Sequence, residues 1–258
     1  MIRYLELLEK SREFQIPVST IERDYTQNWI LKSLSEIDMV LKGGTGIKKV
    51  FIDNYRFSDD LDFTLILNIS RENLSKQINK SIKFAKKESG INFSEDDLVL
   101  IENTNGFEGN IYFTILNRSR ARLRIKIDIT GYGKELILLP ISERKIKHLY
   151  SDNFNSRIKV YELEEIFAEK IRTLFDRTRP RDLYDVWRLK EHINLDICRK
   201  IIKEKFEFKN VEIDFYSLNN RKKDFEVSWD NSLKHQITEL PVFNIVFTDI
   251  FKFLNGFL

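Results

Sequence analysis

One cysteine in 258 residues excludes an internal disulfide framework and fits a reducing interior. That residue, Cys198, sits near Ile197 and Ile201 with no basic cluster around it, and reads as an inert helix-packing position. Prolines number four and glycines nine, and the chain has no internal repeat, low-complexity stretch or long linker. No segment approaches the roughly 20 uninterrupted apolar residues that cross a bilayer. Even the apolar tail from Pro241 to Leu258 is broken by Asn244, Asp249, Lys252 and Asn255. Met1-Ile2-Arg3-Tyr4-Leu5-Glu6 lacks the apolar run of a signal peptide. The expectation is a soluble cytoplasmic protein with no membrane partner. An excess of one charge is missing too: 43 Lys and Arg stand against 40 Asp and Glu, so net charge by itself points neither toward nor away from nucleic acid. A hydrophobic share of 42% beside a charged share of 32% supports a core under a well-solvated surface, which excludes disorder.

The pattern along the chain is strand-rich and mixed at first, then helical. A helix is expected from about Thr20 to Leu34, with Ser19 or Thr20 as cap. A short strand over Met39 to Lys42, a short helix over Thr45 to Phe51 and a strand over Asp60 to Ile66 come next. A polar helix follows from about Arg71 to Lys87, closed by Gly90. Strand-like runs cover Leu98 to Glu102, Asn110 to Asn117 and Arg122 to Thr130, with an edge strand at Glu135 to Leu139. From Glu162 to about Phe206 the pattern is helical, and Phe243 to Leu254 adds a last helix. The fold class is α+β, with a domain over 1–155 and a helical C-terminal domain over 156–258.

Gly43-Gly44-Thr45 is the first candidate for chemistry. Two glycines let the backbone approach a ligand closely, and the helix that follows aims its N–H groups at an anion such as phosphate. Ser58-Asp59-Asp60-Leu61-Asp62-Phe63 is the second. Side chains alternate along a strand, so Asp60 and Asp62 share one face while Leu61 and Phe63 enter the core. Two neighbouring carboxylates repel unless a cation lies between them, and one or two magnesium ions carrying a nucleoside triphosphate suit that place. In the run from Arg118 to Asp128 every even position is charged. Arg118, Arg120, Arg122, Arg124, Lys126 and Asp128 therefore share a face that suits a triphosphate or a nucleic-acid backbone. Asp128 is then a third metal carboxylate and Lys126 a triphosphate contact. A strand shielded by charge from edge pairing is the competing account.

The helical half has Leu163, Ile166, Phe167, Ile171, Leu174 and Phe175 on one stripe, with Lys170 in the remaining slot. A lysine there either snorkels to water or faces a cleft and neutralises phosphate. Asp182 and Asp185 follow on the next helix, where a carboxylate opposite a lysine can position it or deprotonate a hydroxyl.

Leu41-Lys42-Gly43-Gly44-Thr45, Arg56-Phe57-Ser58-Asp59-Asp60-Leu61-Asp62-Phe63, Glu165-x-x-Ala168-Glu169-Lys170 and Arg181-Asp182-Leu183-Tyr184-Asp185 resemble, in order, the motifs of the AbiEii/AbiGii nucleotidyltransferase-like toxins of abortive-infection toxin–antitoxin systems. Ile21-Glu22-Arg23-Asp24-Tyr25 is similar to their N-terminal helix, and the resemblance runs from about residue 20 to 190. It implies a polymerase-beta-like nucleotidyltransferase core with a helical second lobe. It also implies nucleotide transfer from an NTP, with tRNA as acceptor in some members and an antitoxin partner. Carried over by motif, Ser58 and Asp60 serve the triphosphate and metal, Asp62 is the second carboxylate, and Lys170 and Asp185 complete the site. On the reading of the residues themselves, Gly43, Gly44, Thr45 and Lys126 are expected to join Ser58 on the triphosphate, and Asp128, by its strand position, to join Asp60 and Asp62 on magnesium. A non-catalytic RNA- or partner-binding protein that keeps a nucleotide cleft is the alternative.

Overall fold

The computed structural model describes residues 1–94, 96–115 and 122–258; Arg118 and Arg120 of the charged run lie outside the described residues. The chain divides into two compact units, one of Met1–Glu135 with Ile141–Tyr161, the other of Leu136–Pro140 with Glu162–Leu258.

The first unit opens with α1 (Tyr4–Glu13), which the sequence pattern did not announce, and α2 (Val18–Leu34). β1 (Met39–Lys42) leads into a one-turn helix α3 (Gly43–Gly46) and a π-helical turn (Ile47–Phe51), then into β2 (Asp60–Leu65). α4 (Arg71–Ser89) has its expected ends. The Ser70 hydroxyl accepts from the Asn73 amide at 3.3 Å, and Gly90, at φ 72°, closes it with an N–H to Lys86 O. β3 (Asn92–Phe93), β4 (Ile101–Asn103), β5 (Gly106–Thr114), β6 (Leu123–Thr130), β7 (Ser142–Lys145) and β8 (Arg157–Val160) complete the set.

The strands form one mixed sheet in the order β3-β5-β6-β2-β1-β8-β7, with β4 also on β5. β2 runs parallel to β6 and antiparallel to β1, which places the Asp60/Asp62 strand in the middle of the sheet. Leu61 and Phe63 of β2 and Ile125, Ile127 and Ile129 of β6 point into the core against α2 and α4, as the two-residue alternation requires. β8 pairs parallel with β1, so the first unit runs to Tyr161, past the boundary expected at residue 155.

The second unit is helical: α5 (Leu163–Asp176), α6 (Pro180–Leu189), α7 (Leu195–Phe208), α8 (Phe215–Asn220), α9 (Lys222–Leu233) and α10 (Phe243–Phe257). Pro180 starts α6 where a missing N–H costs nothing, and the Asn194 side chain caps α7. The edge strand expected at Glu135 to Leu139 does not form. Leu136–Pro140 is instead a strap on this unit. The Glu165 carboxylate accepts from the amides of Leu138 at 3.1 Å and Leu139 at 2.6 Å, taking the N–H groups a strand would need. Lys205, fully buried, pairs with Glu165 at 2.5 Å and Glu169 at 3.2 Å and donates to the Leu136 carbonyl. Arg221 closes the C-terminal end of α5 by donating to the carbonyls of Leu174 at 2.8 Å and Phe175 at 3.1 Å. Trp229, Phe243 and Phe247 pack α9 against α10.

Candidate active site

The glycine turn is built by close approach. Gly43 has φ +68°, a conformation that a Cβ disfavours, and a Cβ there would fall on the Asp62 carboxylate. A Cβ on Gly44 would stand 2.6 Å from Arg56 Nη2 and 3.2 Å from Ser58 Oγ. The bare backbone of this turn therefore lies against the acidic strand, a buried guanidinium and the Ser58 hydroxyl. Thr45, expected to offer its hydroxyl to phosphate, instead donates it to the carbonyl of Asp60 and is fully buried. Its side chain pins the turn to β2, whose Asp60 carbonyl lies 15 residues further along the chain.

The strand registers bring the acidic residues together. Lys42 of β1 lies opposite Asp62 of β2, Asp62 opposite Asp128 of β6, and Asp128 opposite Glu108 of β5. Asp60 lies opposite Lys126, which in turn faces Asn110. The Lys126 ammonium sits 2.9 Å from both Asp128 and Glu108. Burial works against that ammonium, but its bonds to Asp128 and Glu108 outweigh burial and raise its pKa above the ordinary lysine value. Burial pushes the Asp128 carboxyl up, and the negative charges of Asp62 and Glu108 add to the push against Lys126. A carboxylate raised this way gains from a cation beside it.

Among the described residues no group of three or more His, Cys, Asp or Glu side chains forms a ready cage for a metal ion. Magnesium does not need one. It binds through one or two carboxylates and completes its shell with water and substrate phosphates. The hard oxygen donors of Asp60, Asp62 and Asp128 on one sheet face fit that chemistry.

α2 braces this face. Arg23 bonds Asp59 at 3.2 Å, and the Gln27 amide donates to the Ser58 carbonyl at 2.9 Å, fixing the residues just before Asp60. One turn along, buried Asp24 pairs with Lys49 at 2.6 Å and accepts from the Tyr150 hydroxyl at 2.9 Å. Burial alone would raise Asp24, yet Lys49 and Lys48 hold its carboxyl below the ordinary value. Lys49 lies on the π-helical turn, so this ion pair ties that turn to α2.

The second cluster lies wholly within the helical unit. Lys170 bonds Asp182 at 2.6 Å and Asp185 at 2.9 Å, and Asp182 also accepts from Arg177 Nε at 3.0 Å. Both carboxylates are buried. Burial would raise Asp182, but Lys170 and Arg177 drive it well below the usual carboxylate range. The lysine in the apolar stripe thus neither snorkels alone nor packs as a hydrophobe; it is held by two acids from α6.

Residues 27–250 match the family described as nucleotidyl transferase AbiEii toxin, type IV toxin–antitoxin system. The chain belongs to this family. Two solved structures share the AbiEii chain's fold. JHP933 from Helicobacter pylori superposes with a TM-score of 0.62 at 20% identity, covering 94% of this chain and 93% of that one. MenT4, a nucleotidyltransferase toxin from Mycobacterium tuberculosis, gives 0.65 at 15% identity, covering 99% and 90%. At such identities the likeness is one of fold. No curated protein matches the sequence closely.

The family match extends through the C-terminal helices, beyond the stretch of about residues 20 to 190 whose motifs carry the resemblance. In this AbiEii chain Asp60, Asp62, Asp128, Lys126, Gly43, Gly44 and Ser58 come together in the first unit, and Lys170 and Asp185 in the second. Sequence reasoning missed Arg56 behind Gly44 and Glu108 across from Asp128. Arg56 lay in plain view within Arg56-Phe57-Ser58. Glu108 carried no signal, because β5 reads Gly-Phe-Glu-Gly-Asn and does not alternate cleanly.

Proposed function

We propose that this AbiEii toxin transfers a nucleotide from a nucleoside triphosphate to an acceptor hydroxyl in a magnesium-dependent reaction, with the 3′ end of tRNA as acceptor, in the cytoplasm and under the control of a cognate antitoxin. The observation that carries the reading is the register of Asp62 against Asp128, with the Gly43 backbone pressed on Asp62. Phosphate-gripping backbone and paired carboxylates then share one sheet face.

Asp60, Asp62 and Asp128 would hold one or two magnesium ions. Magnesium, when bound, neutralises triphosphate charge and steadies the departing pyrophosphate. The Gly43 and Gly44 backbone and the Ser58 hydroxyl grip the β- and γ-phosphates, and the Lys126 ammonium adds a positive charge beside them. Attack of the acceptor hydroxyl on the α-phosphorus forms one P–O bond and breaks another, so positioning and charge carry most of the rate. Lys170 would neutralise phosphate charge, with Asp182 and Asp185 holding its ammonium in place. Lys170→Ala is expected to lose transfer while the sheet unit keeps its triphosphate binding.

The test is incubation of the purified chain with total RNA and each of the four α-labelled triphosphates in magnesium. Label is expected in tRNA from the wild type, and none with EDTA or in Asp60→Ala. Full transfer by Asp60→Ala, or label in no RNA with any triphosphate, would remove the proposal.

A further inference from the structure

We infer that the outer face of β5 and β6 is a track for a single-stranded polynucleotide end, with Tyr112 stacking on a base and Arg124 and Arg122 on phosphates. This rests on the reading that the neighbouring carboxylates serve transfer to a polynucleotide hydroxyl. Three observations carry it. First, Lys126 lies where β6 is paired on both sides, by β5 and β2, and Arg124 and Arg122 continue its row past the end of the β2 pairing. The charge on Lys126 therefore protects no edge, which removes there the ordinary reason for charging a strand face. Second, the face is graded. Asp128 lies opposite Glu108, Lys126 opposite Asn110, and Arg124 opposite Tyr112, so along β5 and β6 the acids stand at the Asp128 end and cations follow outward. At two residues per step, Arg122 stands about 20 Å along the strand from Asp128. Third, Tyr112 is 42% exposed and stands opposite Arg124 in the strand register, in a cavity it shares with Asn110 and Arg122.

Cations at strand spacing beside an open aromatic ring are the parts from which single-strand sites are made: charge follows the backbone and the ring stacks on any base. A duplex hides its base faces and has no use for the ring. Lys126, bonded to Asp128 and Glu108, marks the point where the track meets the carboxylates. The strand end laid on Arg124 and Tyr112 then delivers its terminal hydroxyl toward the acidic row.

The experiment is fluorescence anisotropy of labelled single-stranded RNA and DNA of about ten nucleotides, with the full chain and no triphosphate. Tyr112→Ala and Arg124→Ala are each expected to weaken binding about fivefold or more. Tyr112→Phe should bind like wild type, and Arg124→Ala alone should flatten the salt dependence. The RNA and DNA arms separate the two sugars. Unchanged binding in both alanine variants, equal loss in Tyr112→Phe, or an equal loss for duplex would overturn the track. Its fate separates from that of the reaction. Active wild type whose KM for RNA Tyr112→Ala leaves unaltered sinks the track alone. Tyr112-dependent binding by a wild type that transfers no label keeps the track and sinks the reaction.

Discussion

Gly44→Ala adds a methyl group where the Arg56 guanidinium and the Ser58 hydroxyl already stand, at 2.6 and 3.2 Å. Either the Arg56 guanidinium or the turn has to shift, and the bare backbone surface of the turn is lost. We expect triphosphate affinity to fall about tenfold or more, and stability to drop by about 1–3 kcal/mol as in other overpacked sites. Equilibrium binding and urea unfolding read the two effects separately. Cys198 gives the opposite kind of prediction. Burial, with Glu164 and Glu165 nearby, pushes its thiol up to about 12. The folded chain should therefore resist a thiol reagent at pH 8 and react only as it unfolds. Rapid stoichiometric labelling would contradict the buried, protonated thiol.

Two buried ion networks set the stability of the elements around them. Asp24 of α2 holds Lys49 on the π-helical turn, and removing one partner leaves a charge buried without its counter-ion. Asp24→Ala is expected to cost about 3–5 kcal/mol, seen as a lower urea midpoint. In the helical unit Asp182 is held far below its ordinary value by Lys170 and Arg177. A depressed carboxyl stabilises the fold above its unfolded pKa of about 3.9 and loses that contribution as pH falls toward the folded value. The gap in melting temperature between wild type and Asp182→Asn should thus be widest near neutral pH and close below about pH 4. A gap that widens in acid would contradict this assignment.

What could be read from the sequence at this scale was periodic. The alternation of Asp60-Leu61-Asp62-Phe63 and of Arg124 to Asp128 gave faces that the sheet reproduces. The stripe around Lys170 likewise gave α5, and Gly90 the end of α4. What stayed hidden depends on distant partners. The strap at Leu136–Pro140 resembles a strand until Glu165 takes its amides, and nothing local in Glu108 reveals that β5 sets it against Asp128. The same holds for Thr45: Gly-Gly-Thr predicts a turn, but the carbonyl that receives its hydroxyl lies on β2.

At the scale of the whole molecule, a net charge of +3 hides a patterned surface. Acid gathers on β2, β6 and β5 beside the glycine turn, and cations extend outward along β6. Such a molecule should bind polynucleotide with a marked salt dependence despite its near balance of charge. The central claim is that the acidic row and glycine turn exist for a metal–triphosphate. The most direct measurement is equilibrium binding of a labelled triphosphate to the full chain, with magnesium and with EDTA, in wild type and in Asp60→Ala. The account predicts binding that requires magnesium and is lost in the variant while the unfolding midpoint stays close to wild type. A chain that binds RNA yet ignores triphosphate and magnesium alike would contradict it, and would leave a binding protein in place of an enzyme.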